Sequence, residues 1–168
     1  MTPMLSRALL RGQAIGMLLL SACSVEPLSG PPEVKLGRSE CAACGMIISE
    51  ERCSSALLVD LEGRREHRLY DDIGCMLDDE GDVGLEGVVL QRFVHDHDTR
   101  AWVEANLATF VLVERDAIPT PMGSGIVAYA TREAAERSVA ANAGQTHDYP
   151  SAAVARRDWM HRRITRPR

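Results

Sequence analysis

The chain reads as an α+β fold, because hairpin-forming strands precede each of two helical patterns and regular strand–helix alternation is missing. Three stretches carry this reading. Arg52 to Asp60 and Glu66 to Tyr70 are extended patterns joined across Glu62-Gly63, a hairpin with a short loop. Asp71-Asp-Ile-Gly-Cys-Met-Leu77 opens a helix, since an aspartate can cap free N–H groups and Ile73, Met76 and Leu77 fall at i, i+3 and i+4. Thr131 caps a second helix that runs to Ala143, with Gly144 as its stop signal.

Taken from the first residue, the chain begins with an export leader over 1–22. Arg7 and Arg11 form a basic region, Gln13 to Leu20 is a short apolar run, and Leu20-Ser-Ala-Cys23 supplies small residues before a cleavage point. The run is much shorter than the roughly 20 residues of a spanning helix. It resembles a bacterial lipobox, in which Cys23 becomes acylated and N-terminal. Ser24 follows Cys23, with no aspartate to retain the protein at the inner membrane. The expected location is therefore lipid-anchored, periplasm-facing and at the outer membrane.

Residues 23–39, with Pro27, Pro31 and Pro32, are expected to form a flexible tether. The folded domain is expected over 40–150, and 151–168 as a basic C-terminal tail, either helical or disordered. Without the leader, 146 residues remain (168 − 22), enough for one domain or two small ones. The formal charge of −5 becomes −7 without the two leader arginines. Six Arg and one Asp in the tail then leave residues 23–150 at −12. Such an acidic body argues against nucleic acid and suits attraction of a cation. Aromatics are only 4% of the chain, so the core must rest on Val, Leu, Ile and Ala.

Beyond the first helix, which Gly81 and Gly84 should end, Val88 to Val94 is a short apolar strand. Residues 99–107 are either a helical turn carrying Trp102 or a loop. Phe110 to Glu114 and Gly125 to Ala130 are strands separated by a Pro-rich connection. The expected order is β-β-α-β, then β-β-α with a short final strand.

The chemistry concentrates in Cys41-Ala-Ala-Cys-Gly-Met46, two thiols and a thioether within six positions. Cys and Met are the side chains that select Cu(I). In extended or bulged backbone the side chains of Cys44 and Met46 point the same way, with Gly45 relieving crowding. Met122, in the polar loop Thr120-Pro-Met-Gly-Ser-Gly125, is a third soft donor poorly explained as core. Met46 also fits as core filler beside Ile47 and Ile48. Four thiols remain after Cys23, namely Cys41, Cys44, Cys53 and Cys75, and they admit other readings. Two structural disulfides suit an oxidising compartment. A Cys₄ zinc site is weakened by Cys53 and Cys75 standing singly. A thioredoxin-like redox pair needs Cys41 and Cys44 at a helix start after a strand.

These residues together resemble the NosL family of nitrous oxide reductase accessory lipoproteins. The resemblance rests on the lipobox, on Cys41 to Met46 with Ile47, on Asp71-Asp-Ile-Gly-Cys-Met76, and on Pro121-Met-Gly123 before the last helix. It implies two small ββαβ-type halves with antiparallel strands. It also implies a Cu(I)-binding metallochaperone serving assembly of the copper–sulfide centre of nitrous oxide reductase, with that enzyme or its assembly factors as partners. By position, Cys44 and Met46 match the family's Cys-x-Met copper ligands and Met122 its downstream methionine. Cys41 is a further thiolate or a disulfide partner, and Cys75 with Met76 a possible secondary metal pair.

Other residues fit less demanding roles. His95-Asp-His97 would face one way on a strand but reads first as a solvated turn, and His67, His147 and His161 are no better determined. Asp71-Asp72 reads as a cap, and Asp78 to Asp82 as a solvated helix end. No phosphate loop and no nucleophile–base pairing is visible, so no enzyme activity is expected. The alternatives to copper delivery to nitrous oxide reductase are a periplasmic thiol–disulfide oxidoreductase and delivery to another copper enzyme such as a terminal oxidase.

Overall fold

A computed structural model describes residues 26–114 and 117–165. The leader and Cys23 lie outside the described residues. A single 3-10 turn, Glu51–Cys53, leads into β1 (Ser55–Leu61) and β2 (Arg64–Tyr70), followed by α1 (Ile73–Glu86), β3 (Val88–His95) and β4 (Trp102–Glu104). The second half comprises β5 (Thr109–Val113), β6 (Ile126–Tyr129), α2 (Arg132–Asn142), β7 (Gly144–His147) and α3 (Tyr149–Thr165). Two antiparallel sheets result, ordered β2-β1-β3-β4 and β6-β5-β7. In each, the first strand is central, its hairpin partner lies on one side, and the strand after the helix lies on the other. The α+β class and the two ββαβ halves are therefore as expected.

Local chemistry explains most of these elements. Leu61 pairs with Arg64, so Glu62-Gly63 is a two-residue hairpin loop, and both residues have positive φ (54° and 87°). That conformation matches the twist of the flanking strands. Thr131 caps α2 by accepting the Ala134 N–H at 3.2 Å. Gly81 and Gly84 do not stop α1, which continues to Glu86. An interior glycine costs a helix only about 1 kcal/mol, less than packing against the sheet returns. Residues 99–107, ambiguous in sequence, contain the short strand β4. It is positioned by Asp96, whose carboxylate accepts the N–H groups of Asp98 and Thr99 and the Thr99 hydroxyl.

The two halves share one core. Leu57, Tyr70, Ile73, Met76 and Val94 from the first pack with Phe110, Ile126, Ala128, Tyr149 and Ala152 from the second. Asp96 also joins them, accepting the Ala130 N–H at 2.6 Å while His97 N–H donates to the Ala128 carbonyl at 2.8 Å.

Both flanking segments make contact with the domain. Part of the expected tether lies against the domain: the Leu28 carbonyl accepts from Arg65, and the Gly30 carbonyl lies 2.8 Å from His67 Nε2. Gly30 N–H donates to Gln91 Oε1, and Gly37 N–H to the Ile48 carbonyl. Strand side chains satisfy its backbone, which composition does not reveal. The segment from 151 takes the helical one of its two expected forms, as part of α3, and packs on the domain. Ala152 is fully buried in α3, and Arg156, 8% exposed, makes two bonds to Asp78 at 3.0 and 2.7 Å. The acidic run on α1 is likewise paired rather than simply solvated: Asp79 accepts from Tyr70 and Arg68, and Glu80 from Arg92 and Tyr149.

Acid should loosen this arrangement. Burial holds His95 below the usual imidazole range, beside Ser54 Oγ at 2.9 Å and stacked on Trp102. Burial lowers His97 as well. The unfolded chain takes up these protons near pH 6.5, whereas the folded chain resists them. Stability is therefore full above about pH 6.5 and falls as the pH drops through and below that value. Denaturant unfolding between pH 7.5 and 5 should show this slope, and a His95→Gln variant should flatten it.

Candidate metal centre

Residues 39–48 fold back on themselves beside the end of β2. Ile48 N–H donates to the Ser39 carbonyl, Cys41 N–H to the Met46 carbonyl and Gly45 N–H to the Cys41 carbonyl, each at 2.8 Å. Ala42 N–H reaches the Leu69 carbonyl at 2.7 Å and pins the loop to the edge strand. Gly45 has φ +73°, and a Cβ built on it would meet nothing within 4 Å. The backbone there is thus a left-handed turn rather than an extended one. Gly45 is required by its conformation, not by crowding.

The loop sets Cys41 and Cys44 against Asp71, which follows β2, and Cys75, in the first turn of α1. Three sulfurs and one carboxylate oxygen, from Cys41, Cys44, Cys75 and Asp71, all lie within 4.8 Å of one another. Cys44 Sγ is 3.8 Å from Asp71 Oδ1. Cys41, Asp71 and Cys75 are buried, and Cys44 is exposed. All four described cysteines are free thiols, and Cys53 lies buried outside the cluster.

Their ionisation is divided. A hydrogen bond from the Cys75 thiol, with backbone bonds around Asp71 and Cys44, holds Cys41 far below the ordinary thiol range. The same bond, with burial, drives Cys75 upward. Burial pushes Cys44 up, and burial together with the neighbouring Cys41 raises the Asp71 carboxyl to about 6. Cys41 is thus the thiol of the cluster whose surroundings favour the anion, near the N-terminal end of α1, where the helix dipole favours negative charge.

Asp72 holds a second loop beside the first. Its fully buried carboxylate accepts Gly74 N–H at 2.7 Å through Oδ1 and Met122 N–H at 2.9 Å through Oδ2, with Ser124 N–H at 3.5 Å. A Cβ on Gly74 would stand 2.7 Å from Ser124 Cβ, so only glycine admits this approach. Gly74→Ala should displace the Met122 loop and destabilise the fold by about 1–3 kcal/mol, the usual range for overpacking. Thermal unfolding, with amide exchange at Met122, measures both effects.

The structure thus brings Cys41 and Cys44 together as the spacing suggested. It adds Cys75, read in sequence as secondary, and Asp71, read only as a cap. Asp71 and Cys75 are four residues apart across a helix start, a spacing that could have drawn attention to them. Met46 is 55% exposed and Met122 40% exposed, whereas Met76 is wholly buried in the core that also contains Cys41 and Cys75. No histidine belongs to the cluster among the described residues.

A family model for NosL matches residues 34–153 of this sequence. The chain belongs to the NosL family. The crystal structure of the copper chaperone NosL from Shewanella denitrificans is similar in fold, with a TM-score of 0.61 at 17% identity. The match covers 74% of this chain and 96% of that one. No curated protein matches in sequence. The NosL region takes in both loops, Cys75 and Asp71, and its donors are mainly soft sulfur, the kind that favours Cu(I) over Ca²⁺ or Mg²⁺.

Proposed function

We propose that this chain is a Cu(I)-binding metallochaperone lipoprotein that assists assembly of the copper–sulfide centre of nitrous oxide reductase. The observation that carries the reading is the convergence of three thiols at the edge of a NosL domain. The similar Shewanella protein is described as a copper chaperone, which supports the same cargo here. The donors offered to the ion are Cys44, Met46, Met122 and Cys41, with the Cys75 thiol beside Cys41 and Cys44 as a further one. Cys23 would carry the lipid, anchoring the domain at the outer membrane and facing it into the periplasm. Nitrous oxide reductase or its assembly factors are the proposed recipients.

Delivery needs no transition state to be stabilised, only tight binding with ready release. Soft donors near a surface allow an acceptor to displace them one at a time. The test is anaerobic titration of the reduced protein with Cu(I), followed by incubation with copper-free nitrous oxide reductase and its assembly factors. One tightly held Cu(I) per chain, passed to that system in preference to a terminal oxidase, is expected. Failure to bind Cu(I) would end the proposal.

One observation favours a second reading, thiol–disulfide exchange: Cys41 lies against Cys75 in the first turn of α1, and a hydrogen bond from Cys75 lowers the Cys41 thiol below its ordinary range. Against it, Cys41 is only 2% exposed, which shields the nucleophile from a protein disulfide. Insulin reduction assays separate the two readings.

A further inference from the structure

We infer that the tip of the β1–β2 hairpin, together with the start of β3, is the face that rests on the bilayer, so that the metal centre is held about 20 Å away from the lipid. The inference rests on the lipid carried by Cys23, as proposed above, and concerns how the anchored domain is oriented rather than what it carries.

The path of residues 28–37 sets the direction. His67, Leu58 and Gln91 stand side by side in the first sheet, and Gly30 bonds to the side chains of both His67 and Gln91, which places it across Leu58. Before it, the Leu28 carbonyl is held at 3.3 Å by Arg65, nearer the hairpin loop. After it, Gly37 N–H reaches the Ile48 carbonyl at the metal loop. The segment therefore runs from the hairpin end to the metal end, and the anchor enters from the hairpin end.

Chain length then limits the orientation. Cys23 precedes Leu28 by five residues, a reach of at most about 18 Å when fully extended. Along β2, Arg65 and Asp71 are six residues apart, about 20 Å. The 14-residue helix α1 gives the same span, rising about 21 Å from the cluster at its first turn. Its far end returns to the hairpin, where a Cβ on Gly87 would stand 2.4 Å from the Asp60 carbonyl oxygen. The reach is shorter than the span, so the metal end cannot turn down onto the bilayer.

Surface chemistry at the hairpin end suits lipid. Leu28, Val88 and Leu90 are 42%, 62% and 38% exposed. Val88 pairs with Asp60 beside the hairpin loop, and Leu90 is the extra residue of a bulge, since Val59 faces Val89 and Leu58 faces Gln91. Arg64 and Arg65 flank this patch but are offset by acids, Arg64 lying 3.0 Å from Glu66 and Arg65 3.9 Å from Asp60. The contact is thus apolar rather than a pull on anionic headgroups. A weak contact suffices, because the acyl chains keep the domain at high effective concentration beside the surface. Leu36 and Ile47, exposed beside the metal loop, stay turned away from lipid, and a partner reaches that loop without displacing the membrane.

Brominated lipid, which quenches tryptophan, reads this orientation. The full chain is expressed with its leader, carrying Val88→Trp or Leu36→Trp, and the acyl group on Cys23 is checked by intact mass. Each is reconstituted into phosphatidylcholine vesicles with or without bromine on the acyl chains, and the emission of Trp102 and Trp159 is subtracted using the chain without either substitution. The emission added by Val88→Trp should fall at least twofold in brominated vesicles, and that added by Leu36→Trp should not change. Leu28→Trp, outside the strands, repeats the first measurement without touching the sheet. In an acylated chain, equal quenching at both ends, quenching at Leu36→Trp alone, or none at any position overturns the orientation and leaves the lipoprotein standing. A chain with no acyl group on Cys23 overturns both.

Discussion

Cys44→Ser is expected to bind Cu(I) at least about a hundredfold more weakly than the native chain, a change of roughly 2.7 kcal/mol. Its thermal midpoint should stay within about 2 °C of the native value, because Cys44 is the exposed member of the cluster. Its thiol makes only long contacts, to Asp71 at 3.8 Å and to the Cys41 sulfur, and the loop is closed by backbone bonds that serine leaves in place. A hydroxyl is a hard donor and a poor replacement for a thiolate at a cuprous ion. Competition against a chromophoric Cu(I) chelator measures the effect. The native affinity should also climb with pH across neutrality, since Cys44 and Cys75 are held above the ordinary thiol range and must lose protons to bind. Cys53→Ser provides the contrast. Burial pushes that thiol up to about 12 and it stands outside the cluster, so its loss should lower stability and leave binding alone. Native-like affinity in Cys44→Ser would remove the metal centre from this loop.

What the sequence could reveal follows from the range over which each signal acts. The β1–β2 turn, the cap at Thr131 and the apolar periodicity of α1 are local, and each lies within a few residues of the structure it produces. The packing of α3 is not. Ala152, Ala153 and Arg156 fill a seam left by the other half, and alanines among arginines carry little periodic pattern. Residues 28–37 dock through backbone groups onto Arg65, His67, Gln91 and Ile48, so their proline-rich composition misleads. The cluster shows the same division. Cys41 and Cys44 are legible because spacing alone joins them. Asp71 and Cys75 enter only because Ala42 bonds to Leu69 and folds the loop over the end of β2. Gly45 was readable as a necessary glycine, but its reason, a left-handed turn with empty space beside it, belongs to three dimensions.

Asp72→Ala should have the largest effect on the fold of any change around the centre. The native carboxylate is fully buried and accepts N–H groups from α1 and from the Met122 loop. Alanine leaves the Gly74 and Met122 donors without that acceptor, and a buried unsatisfied group costs about 1–3 kcal/mol. Part of the loss is recovered if the Met122 loop, which is half open to solvent, swings out to water. The expected destabilisation is therefore about 3 kcal/mol, or roughly 10 °C in thermal midpoint for a domain of this size. Asp72→Asn keeps one accepting oxygen and should lose about half as much. The two variants also separate stability from copper handling. If Asp72 does no more than support the fold, Cu(I) transfer from Asp72→Asn at a temperature well below its midpoint should match the native rate. If it also holds Met122 in place as a copper donor, that variant should give up Cu(I) several-fold faster, because a weaker acceptor loosens the bond from the Met122 N–H.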